Sequence, residues 1–219
     1  MSLYGYRKPT DLPRAIPIFP LSGAILFPRG TLPLNIFEPR YLNMIDDALA
    51  GDRVIGMIQP AGRGAPIPPI LDIGTLGRIT AFAETEDGRY LITLTGIARF
   101  RVAQEIESGA PYRKVIADYS AFADDFDAGG GTFDVDRTQL ADALMRYSDA
   151  MGFKIDWSAV EEAAPEALVH AVASLCPFDP IAKQALLEAP TLSERAAALI
   201  VLLESGAEDA GRGTASPMQ

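Results

Sequence analysis

The spacing of apolar residues changes near residue 122, and the change divides the chain into two regions. From residue 14 to about 122, short apolar or alternating runs are separated by turn residues, the pattern of strands with one buried face. The expected strands are Arg14 to Phe19, Leu32 to Phe37, Val54 to Gln59, Gly74 to Glu84, Tyr90 to Thr95, Ala98 to Glu105 and Tyr112 to Tyr119. Glu86-Asp87-Gly88 supplies a hairpin turn between two of them, because Asp-Gly tolerates positive φ. One helix, Glu38 to Ala50, interrupts the strands, with Pro39 suited to a first helical position and Gly51 to the residue past the end. Tyr41, Met44, Ile45, Ala48 and Leu49 form its apolar face, with Asn43, Asp46 and Asp47 opposite. Many short strands crossed by a single helix predict a closed or nearly closed barrel.

The stretch ADDFDAGGGT, residues 123–132, is acidic and glycine-rich, as linkers are, and beyond it the apolar period is helical. Helices are expected at Val135 to Met151, Ala159 to Ala164, Glu166 to Cys176, Ile181 to Ala189 and Leu192 to Ser205. Ser158 with Glu161 and Thr191 with Glu194 have capping-box spacing, and Asp179-Pro180 is a further helix start. The expected organisation is therefore α+β. An extension at 1–13 precedes a barrel at 14–123, a linker at 124–132, a helical bundle at 133–205 and a flexible tail at 206–219.

Composition narrows the functional classes. With 48% apolar residues, 219 residues suffice for one large or two small cores. The net charge of -10 and pI near 4.6 disfavour a nucleic-acid partner, since phosphate affinity needs clustered Lys and Arg. The amino terminus has no apolar run of signal-peptide length and its prolines break any spanning helix, so a cytoplasmic, membrane-free protein is expected. A single cysteine, Cys176, excludes an internal disulfide and a cysteine-rich zinc site. Its apolar surroundings predict a small buried hydrophobe.

Three stretches, in this order, resemble the amino-terminal substrate-binding domain of Lon proteases. They are IPIFPLSGAILFPRGTLPLNIFEPRYLNMIDDAL (16–49), DIGTLGRITAFAETEDGRYLITLTGIARFRV (72–102) and KQALLEAPTLSERAAALIVLLE (183–204). The resemblance implies a PUA-like β-barrel followed by a helical bundle. It also implies a module that binds unfolded or client polypeptides, linked to protein quality control and to a separate protease or chaperone. No Gly-Lys dipeptide exists, and none of Lys8, Lys114, Lys154 and Lys183 sits in a protease-like motif. The expectation is a stand-alone member with no ATPase or protease module, no enzymatic activity, no cofactor and no metal.

Other chemistry is weakly supported. His170, the single histidine, has Ser174 one helical turn away but no second His or Cys with which to build a nucleophile pair or metal site. The acidic pairs Asp46-Asp47, Asp124-Asp125 and Glu161-Glu162 diverge in direction on helices and are expected on solvated faces. Pro66 to Ile70 reads as a stiff loop or an extended segment offered to a partner. The candidate binding residues are Phe27, Pro28 and Arg29, either an exposed apolar lip or a plug in one barrel end, and Arg40, a ligand contact or a structural ion-pair former. RNA binding is the alternative function, because PUA-like barrels occur in RNA-recognising proteins and Arg99, Arg101, Arg113 and Lys114 give a modest basic cluster.

Overall fold

Two long strands organise the first half of the chain. In the computed structural model, which describes residues 5–62, 67–127 and 135–213, β1 spans Ala15–Pro20, β2 Thr31–Ile36, β3 Val54–Ile58, β4 Ile73–Glu84, β5 Tyr90–Ile106 and β6 Lys114–Asp118. Helix α1, Pro39–Ala50, separates β2 from β3. Contacts divide the chain into a sheet unit, 1–130, and a helical unit, 131–219.

The sheet order is β2-β5-β4-β3-β1-β6, and β6 also pairs with β5. Pairing therefore runs from β1 through β3, β4, β5 and β6 back to β1, a curled sheet with β2 attached outside the cycle. Strand β5 can belong to both parts because of its length: Tyr90–Thr95 pairs with β2, and Arg101–Ile106 with β6.

Where two strands were expected on either side of Gly96, a single strand forms. A Cβ at Gly96 would lie 2.0 Å from the Phe27 carbonyl oxygen, so this glycine lets another backbone approach and does not break the strand. The register shifts opposite it, between Leu76 and Gly77. This bulge is how a long strand turns a corner in a curled sheet.

Two apolar clusters fill the unit. One joins α1, through Tyr41, Met44, Ile45 and Ala48, to Ile55, Met57, Ile79, Ile92 and Leu94. Asn43, Asp46 and Asp47 face outward, as the helical spacing predicts. The other joins Ile16, Ile18, Leu76, Ile97, Phe100 and Val115. Each such side chain, fully buried, contributes about 1.5–3 kcal/mol before the entropy of ordering is subtracted.

A 3-10 helix, Ser120–Phe126, follows β6 and occupies the beginning of the expected linker. Asp125 there is buried, which corrects the expectation of a solvated Asp124-Asp125 pair. Residues 128–134, the rest of that glycine-rich stretch, lie outside the described residues.

The helical unit contains α2 Arg137–Met151, α3 Trp157–Glu162, α4 Pro165–Leu175, α5 Pro180–Glu188 and α6 Leu192–Gly213. Side-chain caps set three of the starts: Asp136 accepts from the Gln139 amide, Asp156 from Ala159 and Asp179 from Ala182. Asp156 displaces the expected Ser158 cap, so α3 begins at Trp157, two residues before the expected start. Thr191 and Glu194 form the reciprocal capping box that their spacing predicts.

Helix α6 runs on to Gly213, so the expected flexible tail is helical in its first part. Packing explains the extension. A Cβ at Gly206 would lie 2.6 Å from the Tyr147 ring, so glycine lets α6 press against α2 there.

Candidate functional site

The candidate residues of the first loop turn inward. Phe27 is 1% exposed and Pro28 is buried. The Arg29 amide donates to the Gly96 carbonyl at 2.8 Å, and the Gly96 amide donates to the Gly30 carbonyl at 2.9 Å. The Arg29 side chain donates to the Asp125 carbonyl at 2.5 Å. The loop is held against β5 at Gly96, with Phe27 buried and not exposed as a lip.

Behind the loop sits the most strongly held polar group of the unit. The Asp125 carboxylate accepts from the Arg99 main-chain amide at 2.8 Å, from its Nε at 3.0 Å and from its Nη2 at 2.9 Å. Arg99 lies over the Phe122 ring, 4.9 Å from its centroid. Arg99 is thus a structural residue.

The rest of the expected basic cluster is similarly occupied. Arg113 pairs with Glu105 at 2.6 Å and donates to the Pro68 carbonyl at 2.8 Å, while Lys114 sits 5.4 Å from the Tyr112 ring centroid. Only Arg101 of the four is exposed. Arg40 is exposed, bonded to Glu38 at 2.8 Å and stacked over Tyr41 at 4.5 Å.

Catalytic arrangements do not assemble around the other candidates. The His170 Nε2 lies 2.8 Å from Arg195 Nη1, which binds the imidazole as an acceptor and leaves Ser174 out of the pair. Burial pushes the Cys176 thiol up to about 11, the opposite of an activated nucleophile. Among the described residues no group of three or more His, Cys, Asp or Glu side chains could hold a metal ion. No described helix is long and apolar enough to cross a membrane.

Exposed apolar side chains of the sheet unit include Phe37, Phe82 and Leu91, where β2, β5 and β4 extend beyond the curled part of the sheet. Register places Pro33, Thr93 and Ala81 in one row across the three strands, and Asn35, Leu91 and Ala83 in the next. Residues in register share a face, so these rows make one outer surface. On the opposite face Leu34, Ile92 and Phe82 lie in register, and Phe82 packs against Tyr90 at 5.0 Å between ring centroids.

A shallow depression of about 480 Å³ is lined by these residues. Leu91 is 46% exposed, Phe82 43%, and Phe37, just past β2, 63%. Strand β2 pairs on one side only among the described pairings. Its Pro33 offers no amide proton, which limits strand addition along that edge.

The sequence does carry a signal for this surface. In Ala81-Phe82-Ala83 and Tyr90-Leu91-Ile92 apolar residues occupy successive positions, so both faces of each strand are apolar. One face is accounted for by the core, and the other needs a reason.

Fold and site together define an α+β protein with exposed apolar surface on its sheet. Residues 15–205 match the LON substrate-binding domain of ATP-dependent protease La, and the chain belongs to that family. It is 30% identical over 188 residues to the Lon protease of Desulfosudis oleivorans, covering 81% of this chain and 22% of that protein. With Lon protease 2 of Myxococcus xanthus it shares 33% identity over 111 residues, 49% of this chain and 13% of the relative. The chain thus spans less than a quarter of the length of these relatives. A Lon N-terminal domain protein from Xanthomonas campestris has a similar fold, with a TM-score of 0.61 at 22% identity over 85% of this chain and 97% of that one. The N-terminal domain of a Mycobacterium avium complex Lon protease gives 0.60 at 15% identity, over 89% and 98%.

Proposed function

We propose that this chain binds unfolded or extended polypeptide through the apolar outer surface of β2, β5 and β4, and does no chemistry of its own. In this reading it serves protein quality control by presenting clients to a protease or chaperone. The observation that carries the proposal is the in-register surface of Pro33, Ala81, Ala83 and Leu91, with exposed Phe37 just past β2. Contiguous exposed apolar surface on a folded protein marks an interaction site. Its depression offers no charged anchor, so recognition rests on apolar side chains and tolerates many sequences. Membership of a substrate-binding family supports the same reading.

The test is fluorescence anisotropy with a labelled, permanently unfolded protein at low and moderate salt, beside a labelled RNA of similar size. Polypeptide should bind weakly, because ordering a flexible chain costs several kcal/mol, and with little salt dependence, because burial dominates. Leu91→Ser should weaken binding about tenfold, equivalent to about 1.4 kcal/mol. Binding of RNA with a steep fall as salt rises, and none of polypeptide, would overturn the reading. So would steady ATP turnover or casein cleavage abolished by a point substitution in this chain.

A further inference from the structure

The helical unit contains a second apolar site, which the sheet surface does not explain. A cavity of about 480 Å³ lies between α2, α3, α4 and the 152–156 connection. Its floor is buried Leu144, Tyr147, Leu168, Val172 and Cys176, and its rim is exposed: Leu175 83% and Phe153 46%. Ala159, Ala163 and Ala171 line it where larger side chains would close it.

Of its polar lining residues, Lys154 is exposed, while Ser148 and Asp156 are engaged within the unit. Ser148 donates to the Met145 carbonyl at 2.9 Å, and Asp156 caps α3. Sites for polar small molecules offer a few converging polar groups, which this cavity lacks. Its walls suit aliphatic side chains carried by a partner.

Charge identifies the partner's other face. In sequence, residues 135–213 carry more than twice as many acidic as basic side chains. Most of the basic ones are engaged within the unit. Arg137 donates to the carbonyls of α3, Arg146 pairs with Glu204, Lys183 donates to the Ser174 carbonyl and Arg195 is buried. Asp156 and one cation, Lys154, line the cavity, while Asp149 beside Ser148 and Glu162 beside Ala163 are exposed, so acidic groups outnumber basic ones around it.

We infer that this cavity docks the apolar face of a basic amphipathic helix from another polypeptide. Leucine-like side chains one turn apart fill the floor, and flanking Lys or Arg meet the acidic surroundings. The inference is independent of the sheet surface, because the two sites share no residue.

Trp157, the chain's single tryptophan, follows Asp156 and is 37% exposed, so its emission reports occupancy. The full chain is titrated with three peptides of about 18 residues, about five helical turns: an amphipathic Leu/Lys helix, the same composition in scrambled order, and a Leu/Glu mirror. The Leu/Lys helix should shift Trp157 emission to the blue and bind at least about tenfold more tightly than either control. It should weaken as salt rises, unlike polypeptide on the sheet surface.

Leu175→Lys, on the exposed rim, should reduce affinity about tenfold or more, and Ala171→Leu, which fills the cavity, about threefold to tenfold. Both positions are solvent-facing enough to keep the fold, which circular dichroism verifies. Leu91→Ser should leave this binding unchanged. Equal binding of the three peptides, no binding, or indifference to both cavity variants would overturn the inference. So would self-association of the chain abolished by Leu175→Lys, which would make a second copy the occupant.

Discussion

The sheet unit and the helical unit reach order by different means. In the sheet unit, distant segments converge: the first loop, β5 and the 3-10 helix at Ser120–Phe126 are locked through Arg29, Gly96, Arg99 and Asp125. In the helical unit, four of the five helices are started locally by an aspartate cap or capping box and α4 by Pro165 in its first turn, and the packing among α2, α3 and α4 is left incomplete. The first arrangement fills its interior and leaves apolar side chains on an outer surface. The second leaves apolar space inside. Accessible apolar surface can thus arise from an over-extended sheet or from an under-filled bundle, and here one chain has both.

The largest effect expected from breaking that contrast is at Asp125. Asp125→Ala removes the carboxylate that pairs with the buried Arg99 guanidinium, and should lower stability by about 3–5 kcal/mol. Hydrogen exchange resolves the location: protection should fall in β5 and the 3-10 helix, with the helical unit affected less. Replacing both partners, Arg99→Met with Asp125→Leu, should recover much of the loss, since no lone buried charge remains. Equal loss in single and double variants would show that the pair is not the lock.

The corresponding residue of the helical unit is Arg195, which donates to the Leu186 carbonyl at 2.8 Å and the Ala189 carbonyl at 3.2 Å and faces His170. Arg195→Met keeps the aliphatic volume but strands those acceptors, for an expected loss of about 1–3 kcal/mol by urea denaturation. Its smaller size relative to Asp125→Ala is the check on the contrast, since no opposite charge is left behind.

How much of this was legible in the sequence follows from the range of the interactions. Strand and helix positions, the hairpin at Asp87-Gly88 and the Thr191–Glu194 capping box are local, and periodicity and turn chemistry reveal them. The expected strands stop at Thr95 and resume at Ala98, whereas the reason for Gly96 between them is the Phe27 carbonyl, far away in sequence. Asp125 looked like one more solvated acid because nothing local reveals Arg99 as its partner. Phe27-Pro28-Arg29 stand out in the sequence because strand alternation does not explain them, and their contacts with Gly96 and Asp125 are likewise far away in sequence. The apolar outer surface was written in Ala81-Phe82-Ala83 and Leu91-Ile92, but only the β2–β5–β4 register shows that those residues share a face.

A smaller and opposite effect is expected in the cavity. Ala171→Leu adds apolar volume to space that is already apolar, and should raise stability by about 0.5–2 kcal/mol in thermal denaturation. A comparable enlargement in the sheet unit, Gly77→Ala, would place its Cβ 2.7 Å from Leu26 and should destabilise by about 1–3 kcal/mol. Gains at both positions, or losses at both, would erase the distinction between an under-filled and a filled interior.

The smallest effect concerns Cys176, on the cavity floor. Burial raises its pKa from 9.0 to about 11, with nearby Lys183 opposing the rise. The folded protein therefore keeps the thiol proton through a pH window in which the unfolded chain has lost it. Stability from this group is fully present below the unfolded value and declines as pH rises from about 9 towards 11. Lys183 runs the other way: burial lowers its pKa, so the folded state binds fewer protons there and gains stability as pH rises towards 10.5. The two trends overlap, so the total slope alone decides nothing. Comparing wild type with Cys176→Ala across pH 9–11 isolates the thiol, because Lys183 is present in both. The wild type should lose stability relative to the variant as pH rises, and thiol labelling at neutral pH should be slow until the bundle opens. A flat difference together with rapid labelling at neutral pH would mean that water already reaches the cavity floor in the folded chain, and that the bundle is looser than the packing around Tyr147 and Val172 implies.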